Sequence, residues 1–225
     1  APCPPNLIEG WRTTKGVVFR QGYGLTEVGT NCFSMTDAES VPKTGSVGKP
    51  IFHSEMRIVD PESLQEKGAN EEGELWIRGP HVTTGYWHND AATQEAIHDG
   101  WFRTGDQGVI DAEGYISITG RLKEIINRGG EKISPREIDE ILMDHPSVGQ
   151  VVCFGIPHEK LGEEVGAAVV LREGHSASEK ELRDHVASRV ADFKVPRKIL
   201  LLDEIPKGAT GKLQRIGMAQ KLGLA

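Results

Sequence analysis

A short glycine-rich segment near the amino end carries several groups that could bind a nucleotide. Gly22 and Gly24 allow close approach to the backbone on either side of the aromatic ring of Tyr23. Thr26 and Glu27 follow with a hydroxyl and a carboxylate. An adenine ring, a phosphate and a magnesium ion need groups of these kinds. By itself the segment is better explained as a turn after a strand, with Tyr23 in the core.

Two common phosphate-binding signatures are incomplete in this chain. Residues 17–20 have the composition of a strand before the glycines, but Glu27 stands where a dinucleotide fingerprint requires its third glycine. Residues 206–213 end like a P-loop, yet Pro206 replaces the first glycine and Leu213 replaces the metal-binding hydroxyl residue. The sequence therefore argues against a Rossmann site and against a Walker loop.

Composition narrows the possible classes of protein. A net charge of -7, with basic residues scattered among acidic ones, disfavours nucleic-acid binding. Cys3, Cys32 and Cys153 are too few and too widely spaced for a disulfide framework or a zinc site, and we expect them to be reduced. No apolar run is long enough to span a membrane. We expect a cytoplasmic protein, and because the chain begins at Ala1 without a methionine, we expect a piece of a longer one.

The pattern over residues 73–120 predicts a β-rich region. Residues 74–78 read as a strand, and residues 111–114 read as the turn of a hairpin between residues 109–110 and 115–118. Asp106 falls in this region between Gly105 and Gln107, where its carboxylate could simply cap a turn.

The pattern after residue 121 predicts a βαββαβ order, with helices over residues 135–145 and 179–190. Ser134 and Ser178 each begin a capping-box pattern. The apolar positions of the two helices recur at helical spacing and should face a shared sheet, namely Ile138, Ile141, Leu142, Leu182 and Val186. The predicted fold class is α+β, with one domain over residues 1–121 and a second over residues 122–225.

Several segments then occur in an order and spacing that resemble the later core motifs of the adenylate-forming superfamily, which includes acyl-CoA ligases, peptide-synthetase adenylation domains and luciferases. The resemblance covers essentially the whole chain. It rests on residues 21–27, 101–106, 120–124, 127–133 and 206–213. Each motif is weak alone, but their shared order makes coincidence improbable.

The resemblance assigns the nucleotide-binding groups and implies ATP and Mg²⁺ as cofactors. By similarity, Gly22, Tyr23 and Gly24 line the adenine, Thr26 contacts the phosphate, and Glu27 holds magnesium. Asp106 corresponds to the ribose-binding aspartate, whose two oxygens can accept both ribose hydroxyls, and Arg121 contacts the same nucleotide.

The resemblance also assigns the groups of the second domain. Lys212 matches the catalytic lysine, which stabilises the negative charge that develops when a carboxylate attacks the α-phosphorus of ATP. Lys123 matches the hinge about which the mobile second domain turns. Gly129 and Gly130, beside Glu131, would line the tunnel for the pantetheine arm of coenzyme A, although paired glycines are also the ordinary signature of a tight turn.

The implied function is an ATP-dependent acyl-CoA ligase whose partners are a small carboxylic acid, CoA and a missing amino-terminal part that carries the first phosphate loop. Residues 102–108 and 125–135 look most like dicarboxylate- or oxalate-type CoA ligases, but the acid-binding residues lie elsewhere. No carrier domain follows Lys212, which favours free CoA as the thiol acceptor. Two alternatives stay open, namely a non-catalytic nucleotide- or CoA-binding fragment and an aryl-acid adenylating enzyme that loads a separate carrier.

Overall fold

The computed structural model describes residues 5–208, 211 and 213–225, and the chain divides into two compact units. The first unit is Ala1–Leu122 and the second is Lys123–Ala225. Each unit combines helices with an antiparallel or mixed sheet, which confirms the predicted α+β class. Among the residues described, no helix is both long and apolar enough to cross a membrane.

The described part of the first unit contains α1 (Pro5–Lys15), β1 (Phe33–Ser34), α2 (Asp37–Ser40), β2 (Lys49–Pro50), β3 (Glu55–Val59), β4 (Gly73–Arg78), α3 (Asp90–Ala96), β5 (Ile97–His98), β6 (Trp101–Ile110) and β7 (Ile116–Arg121). Strands β3, β4, β6 and β5 lie side by side in that order, and β7 also pairs with β6. The predicted strand at residues 74–78 and the predicted hairpin with its turn at residues 111–114 are confirmed.

The central strand β4 is covered on both faces. Successive side chains of a strand point to opposite sides of the sheet. Leu75 and Ile77 belong to one buried apolar cluster, whereas Trp76 packs with Val59 and Trp101 in another. Strand β4 pairs directly with β6, the strand that carries Asp106, and so gives it a well-packed neighbour in the sheet.

The strand expected at residues 17–20 is wrong, because these residues follow α1 in irregular backbone. No described strand pairs with them, so their backbone has no ladder to join. Phe19 instead packs edge-on against Trp11 of α1, with ring centroids 5.9 Å apart.

The described part of the second unit contains β8 (Ile126–Arg128), β9 (Glu131–Ile133), α4 (Pro135–Met143), β10 (Val148–His158), β11 (Gly162–Leu171), α5 (Glu179–Ala187), β12 (Lys198–Leu201) and α6 (Met218–Lys221). The predicted βαββαβ order is present with two additions. The first predicted strand is a hairpin of β8 and β9, and α6 follows β12. The sheet order is β10-β11-β8-β9, and β12 pairs with β11 in parallel.

Both predicted helices pack on this sheet through their predicted faces. Ile138 and Leu142 of α4 and Leu182 and Val186 of α5 are fully buried in one cluster, and Ile141 packs against it. Cys153 is a free, buried thiol in the same cluster. Cys32 is a free, buried thiol in the apolar cluster of the first unit, and Cys3 lies outside the described residues.

The two capping-box predictions have different outcomes. Ser178 and Glu181 form the predicted box at the start of α5. At the start of α4, Ser134 makes no side-chain capping bond, so that box is wrong. The Glu137 carboxylate accepts instead from Lys194 Nζ at 2.7 and 2.9 Å, because a charged donor competes better than the backbone N–H of Ser134.

Candidate nucleotide-binding and lysine-bearing sites

Asp106 presents a nearly buried carboxylate where the pairing between β4 and β6 is interrupted. Its side chain is 9% exposed. Oδ2 accepts a hydrogen bond from the Tyr23 hydroxyl at 2.6 Å, and Oδ1 accepts from Arg121 Nε at 2.7 Å. A carboxylate oxygen has about two lone-pair sites, so each oxygen can accept one more hydrogen bond. Among the described residues, the carboxylate therefore keeps acceptor capacity that matches a ligand with two neighbouring hydroxyls.

Tyr23 reaches Asp106 from a distant part of the chain and is itself firmly held. Its ring packs edge-on against Phe33, with centroids 5.5 Å apart, and its carbonyl accepts from the backbone N–H of Cys32 at 3.1 Å. Burial raises the pKa of the Tyr23 hydroxyl far above its ordinary value, and the charge of Asp106 raises it further. The hydroxyl is therefore a permanent donor to Asp106 at physiological pH.

The two glycines beside Tyr23 differ in what they contact. A Cβ atom at Gly24 would lie 2.3 Å from the carbonyl oxygen of Gly29, a backbone clash that no rotamer change relieves. At Gly22 the nearest atom would be Oδ1 of Asn31 at 3.3 Å, on a side chain that can move. Gly24 is thus required for the segment to fold back on itself, whereas Gly22 tolerates more.

Glu27 lies in the same unit and is bonded to a different partner. Its Oε1 accepts from the Tyr86 hydroxyl at 3.0 Å, and its carbonyl accepts from the Thr83 N–H at 2.7 Å. Burial, followed by the charge of Glu27, raises the pKa of Tyr86. Thr26 beside it is exposed. Within the described ranges, no group of three or more His, Cys, Asp or Glu side chains is arranged to hold a metal ion.

In the second unit, Gly129 and Gly130 form the turn between β8 and β9. Their φ angles are +61° and +95°, the left-handed region that a two-residue hairpin of this kind requires. The N–H of Gly129 donates to the carbonyl of Leu161 at 2.8 Å, which ties the turn to the start of β11. Glu131, at the end of the turn, and Lys123 are both exposed.

Lys212, the predicted catalytic lysine, lies outside the described residues, but residues on both sides of it are described. Lys207 and Leu213 form an isolated antiparallel bridge. The N–H of Gly211 donates to the carbonyl of Gly208 at 2.9 Å, and the φ of Gly211 is +75°. The chain therefore reverses direction between Lys207 and Leu213.

Arg215 fixes the chain immediately after this reversal. Its Nε lies 2.8 Å from Glu124 Oε2 and its Nη1 lies 2.7 Å from Asp139 Oδ2. The same Nη1 donates to the carbonyl of Cys153 at 3.1 Å, while the N–H of Cys153 donates to Asp139 Oδ1 at 2.7 Å. Burial raises the pKa of Asp139 to about 6, against the opposing charge of Arg215. A buried ion pair thus attaches the segment to α4 and β10.

Sequence reasoning missed four residues that hold these sites. Tyr86 donates to the Glu27 carboxylate, and Glu74 accepts from the backbone N–H of Gly105, next to Asp106. Asp139 pairs with Arg215 inside the second unit. Arg215 follows Lys212 by three positions, and Glu74 lies inside a buried strand. For Glu74 the available signal was its position directly before the apolar residues 75–77 of a predicted strand, since charged residues are rarely buried unless paired.

Comparison with protein families gives two matches along the chain. A model described as AMP-binding enzyme matches residues 1–87, and one described as AMP-binding enzyme C-terminal domain matches residues 137–212. The two matches follow the same order as the two compact units.

Individual relatives are CoA ligases. An oxalate–CoA ligase of Arabidopsis thaliana is 43% identical over 98% of this chain and 43% of its own length. A probable CoA ligase, CCL9, of Humulus lupulus is 49% identical over 96% of this chain and 41% of its own length. The structure of o-succinylbenzoate CoA synthetase from Bacillus subtilis with an acyl-adenylate intermediate superposes with a TM-score of 0.88 at 34% identity, over 96% of this chain and 44% of that one. The chain therefore spans under half the length of these relatives.

Proposed function

This chain belongs to the AMP-binding enzyme family, and from that premise we propose that it forms part of an ATP-dependent acid–thiol ligase that makes an acyl-adenylate and then an acyl-CoA. The observation that carries the proposal is the Asp106 carboxylate, which is nearly buried, held from both sides and still able to accept two hydrogen bonds. Solved relatives bind AMP-containing ligands, which supports a nucleotide as the molecule that uses this capacity.

Asp106 would accept the two ribose hydroxyls of ATP. Arg121, whose side chain is half exposed, pairs its guanidinium with this carboxylate. Gly22, Tyr23 and Gly24 would line the adenine, where the fold-back at Gly24 presents backbone rather than side chains. Because these groups are in position before the ligand arrives, binding costs little reorganisation.

Thr26 and Glu27 would face the phosphates. Glu27 fits a metal ligand, because among the described residues only Tyr86 donates to its carboxylate, through Oε1. A bound Mg²⁺ supplies the positive charge that lets this carboxylate lie near polyphosphate. Thr26 is exposed and can donate its hydroxyl to a phosphate oxygen.

Lys212 would stabilise the transition state of the first step. A carboxylate oxygen of the acid attacks the α-phosphorus, a new C(O)O–P bond forms, and the bond to the β-phosphate oxygen breaks so that pyrophosphate leaves. Negative charge accumulates on the non-bridging oxygens as this happens, and a lysine ammonium there lowers the barrier. Residues on both sides of Lys212 are anchored, by the Lys207–Leu213 bridge and by the Arg215–Asp139 pair.

The second step would use the β8–β9 turn. The CoA thiolate attacks the acyl carbon, a thioester forms, and AMP leaves with the electron pair of the broken C–O bond. Gly129 and Gly130 offer backbone without side chains to the pantetheine arm, with Glu131 beside them, and Lys123 is the proposed hinge between the two steps.

The proposal is tested with the protein encoded by the full open reading frame, by acid-dependent ATP–pyrophosphate exchange followed by thioester formation with CoA. Short dicarboxylic acids, oxalate first, are the acids we expect to be activated, because an oxalate–CoA ligase is among the relatives. Aryl acids and fatty acids serve as comparison substrates. Exchange with none of these acids, in a protein that is folded, would remove the ligase proposal and favour a non-catalytic nucleotide-binding role.

A further inference from the structure

Glu74 is a buried carboxylate that none of the proposed roles uses. It is 2% exposed and lies on β4 at the interruption of the β4–β6 ladder. Its Oε2 accepts from Trp76 Nε1 at 2.9 Å and from Arg103 Nε and Nη2 at 3.1 and 3.0 Å. Its Oε1 accepts from the backbone N–H of Gly105 at 3.1 Å. Oε2 therefore accepts from side chains, whereas Oε1 accepts from the backbone next to Asp106.

The backbone that Glu74 contacts is irregular. Glu74 pairs with Gln107 and Trp76 pairs with Arg103, so residues 104–106 of β6 lie opposite the single residue 75 of β4. Such a bulge re-aims side chains and leaves ladder groups without their usual partners. Gly105 has a φ of +69° there.

Side chains replace the missing ladder bonds in this bulge. Thr104 Oγ1 donates to the carbonyl of Leu75 at 2.7 Å and accepts from the N–H of Asp106 at 3.0 Å. Glu74 accepts the N–H of Gly105. Consecutive N–H groups at residues 105 and 106 are thus satisfied by two side chains, and together these bonds set the backbone from which the Asp106 carboxylate projects.

We infer that Glu74 is a positioning residue for Asp106, a role that rests on the proposed function. Its Oε1 holds the bulge in the conformation that aims Asp106 at Tyr23, Arg121 and the ribose. Arg103 and Trp76 hold the other oxygen and so fix the rotation of the carboxylate. Glu74 orients Asp106, which would bind the nucleotide, so a change at Glu74 should alter the affinity for ATP.

The isosteric variant Glu74→Gln distinguishes the roles of the two carboxylate oxygens, because it replaces one of them with an NH₂ group. A glutamine has one acceptor oxygen and an NH₂ group that only donates. Its oxygen should turn to the charged donor Arg103, which directs the NH₂ at the N–H of Gly105 and removes that bond. Replacing Arg103 with methionine as well removes the charged competitor and leaves only the neutral indole N–H of Trp76, so the glutamine oxygen should return to Gly105 in part of the molecules.

The test measures ATP–pyrophosphate exchange in the complete enzyme. We expect Glu74→Gln to raise the KM for ATP about tenfold, the size expected for one internal hydrogen bond, with the KM for the acid within about twofold. The double variant E74Q/R103M should recover part of this loss, with a KM for ATP between those of E74Q and the unchanged enzyme, although it is less stable than either parent. Glu55→Gln is the matched control, because it makes the same change in an exposed pair with Arg78, and it should leave both KM values unchanged.

The NMR signal of the Gly105 amide tests the positioning role without relying on ligase activity. In the chain itself, the ¹H–¹⁵N signal of Gly105 should move upfield in E74Q and move part of the way back in E74Q/R103M. A Gly105 signal that does not move, or a KM for ATP within twofold in E74Q while the unchanged enzyme is active, overturns the positioning role alone. Failure of the unchanged, folded enzyme to catalyse acid-dependent exchange removes the proposed function and this role with it.

Discussion

Asp106 in the first unit and Arg215 in the second are both charged groups with several partners. They differ in how much hydrogen-bonding capacity these partners leave unused. Asp106 receives one hydrogen bond on each oxygen and keeps acceptor capacity on both. Arg215 is paired with Glu124 and Asp139 and also donates to the Cys153 carbonyl. Asp106 thus retains unused hydrogen-bonding capacity, whereas the charge of Arg215 is already neutralised inside the unit.

The difference supports the proposal that Asp106 binds a ligand and that Arg215 anchors the chain. A binding residue must be rigid and still incomplete without its ligand, and Asp106 meets both conditions. An anchoring residue is complete in itself, and Arg215 meets that condition three positions after Lys212. The variants below test this division, beginning with the largest expected effect.

Arg215→Met should destabilise the second unit most. It leaves the Asp139 carboxylate buried without its cation, and breaking such a pair from one side costs about 3 kcal/mol or more. Urea denaturation of the chain measures the change. Lys180→Met, which breaks an exposed pair with Asp184, is the control and should have no measurable effect. Equal stability of Arg215→Met and the unchanged chain would show that Arg215 is not an anchor.

Asp106→Asn should lower kcat/KM for ATP in the complete enzyme about a hundredfold, because two hydrogen bonds to a charged acceptor are weakened together. The loss should appear mainly in KM. Asp184→Asn makes the same chemical change on the surface of α5 and should leave kcat/KM within about twofold. A normal KM for ATP in Asp106→Asn would contradict the assignment of a ribose site.

Asp139 should make the stability of the second unit depend on pH. Its folded-state pKa of about 6 lies above its ordinary 3.8, so the folded chain holds the proton more tightly. The resulting stabilisation is complete below pH 3.8 and is lost as the pH rises through about 6. Relative to Asp139→Asn, the unchanged chain should lose about 2 kcal/mol of unfolding free energy between pH 4 and 7. Parallel pH profiles for the two chains would rule this out.

Tyr23→Phe should have the smallest effect, since it removes one of the two bonds to Asp106 and leaves the ring in place. We expect a rise of about threefold in the KM for ATP and a loss of about 1 kcal/mol in unfolding free energy. Tyr115→Phe removes a similar bond to Glu39 in the same unit and should leave the KM unchanged. A larger KM effect at Tyr115 than at Tyr23 would argue against the Asp106 site.

Much of the fold was accessible from the sequence because local rules and tertiary packing agree there. The apolar faces of α4 and α5 pack as their spacing predicts, and the Ser178 box forms. The Ser134 box fails because Lys194, which is 57 positions from Glu137, competes for the carboxylate. Residues 17–20 have strand composition but no described neighbouring strand. The outcome depends in one case on a distant residue that is present and in the other on a neighbouring strand that is not found among the described residues. A local sequence pattern contains neither piece of information.

The candidate sites divide in the same way. Motif order identified Asp106, Arg121 and Tyr23, and the structure brings these three together. Glu74 could not be assigned from spacing, because its contact with Gly105 depends on a bulge that shifts the register between β4 and β6. Arg215 could not be assigned either, because its partners Glu124 and Asp139 are distant from it in the sequence.

We propose that Asp106 binds the nucleotide and that Lys212 stabilises the charge that develops in adenylation, and Lys212→Ala in the complete enzyme separates these two roles. ATP–pyrophosphate exchange should fall about a thousandfold in kcat, with the KM for ATP within about threefold of the unchanged enzyme. Full adenylate formation by a folded Lys212→Ala enzyme would contradict the account.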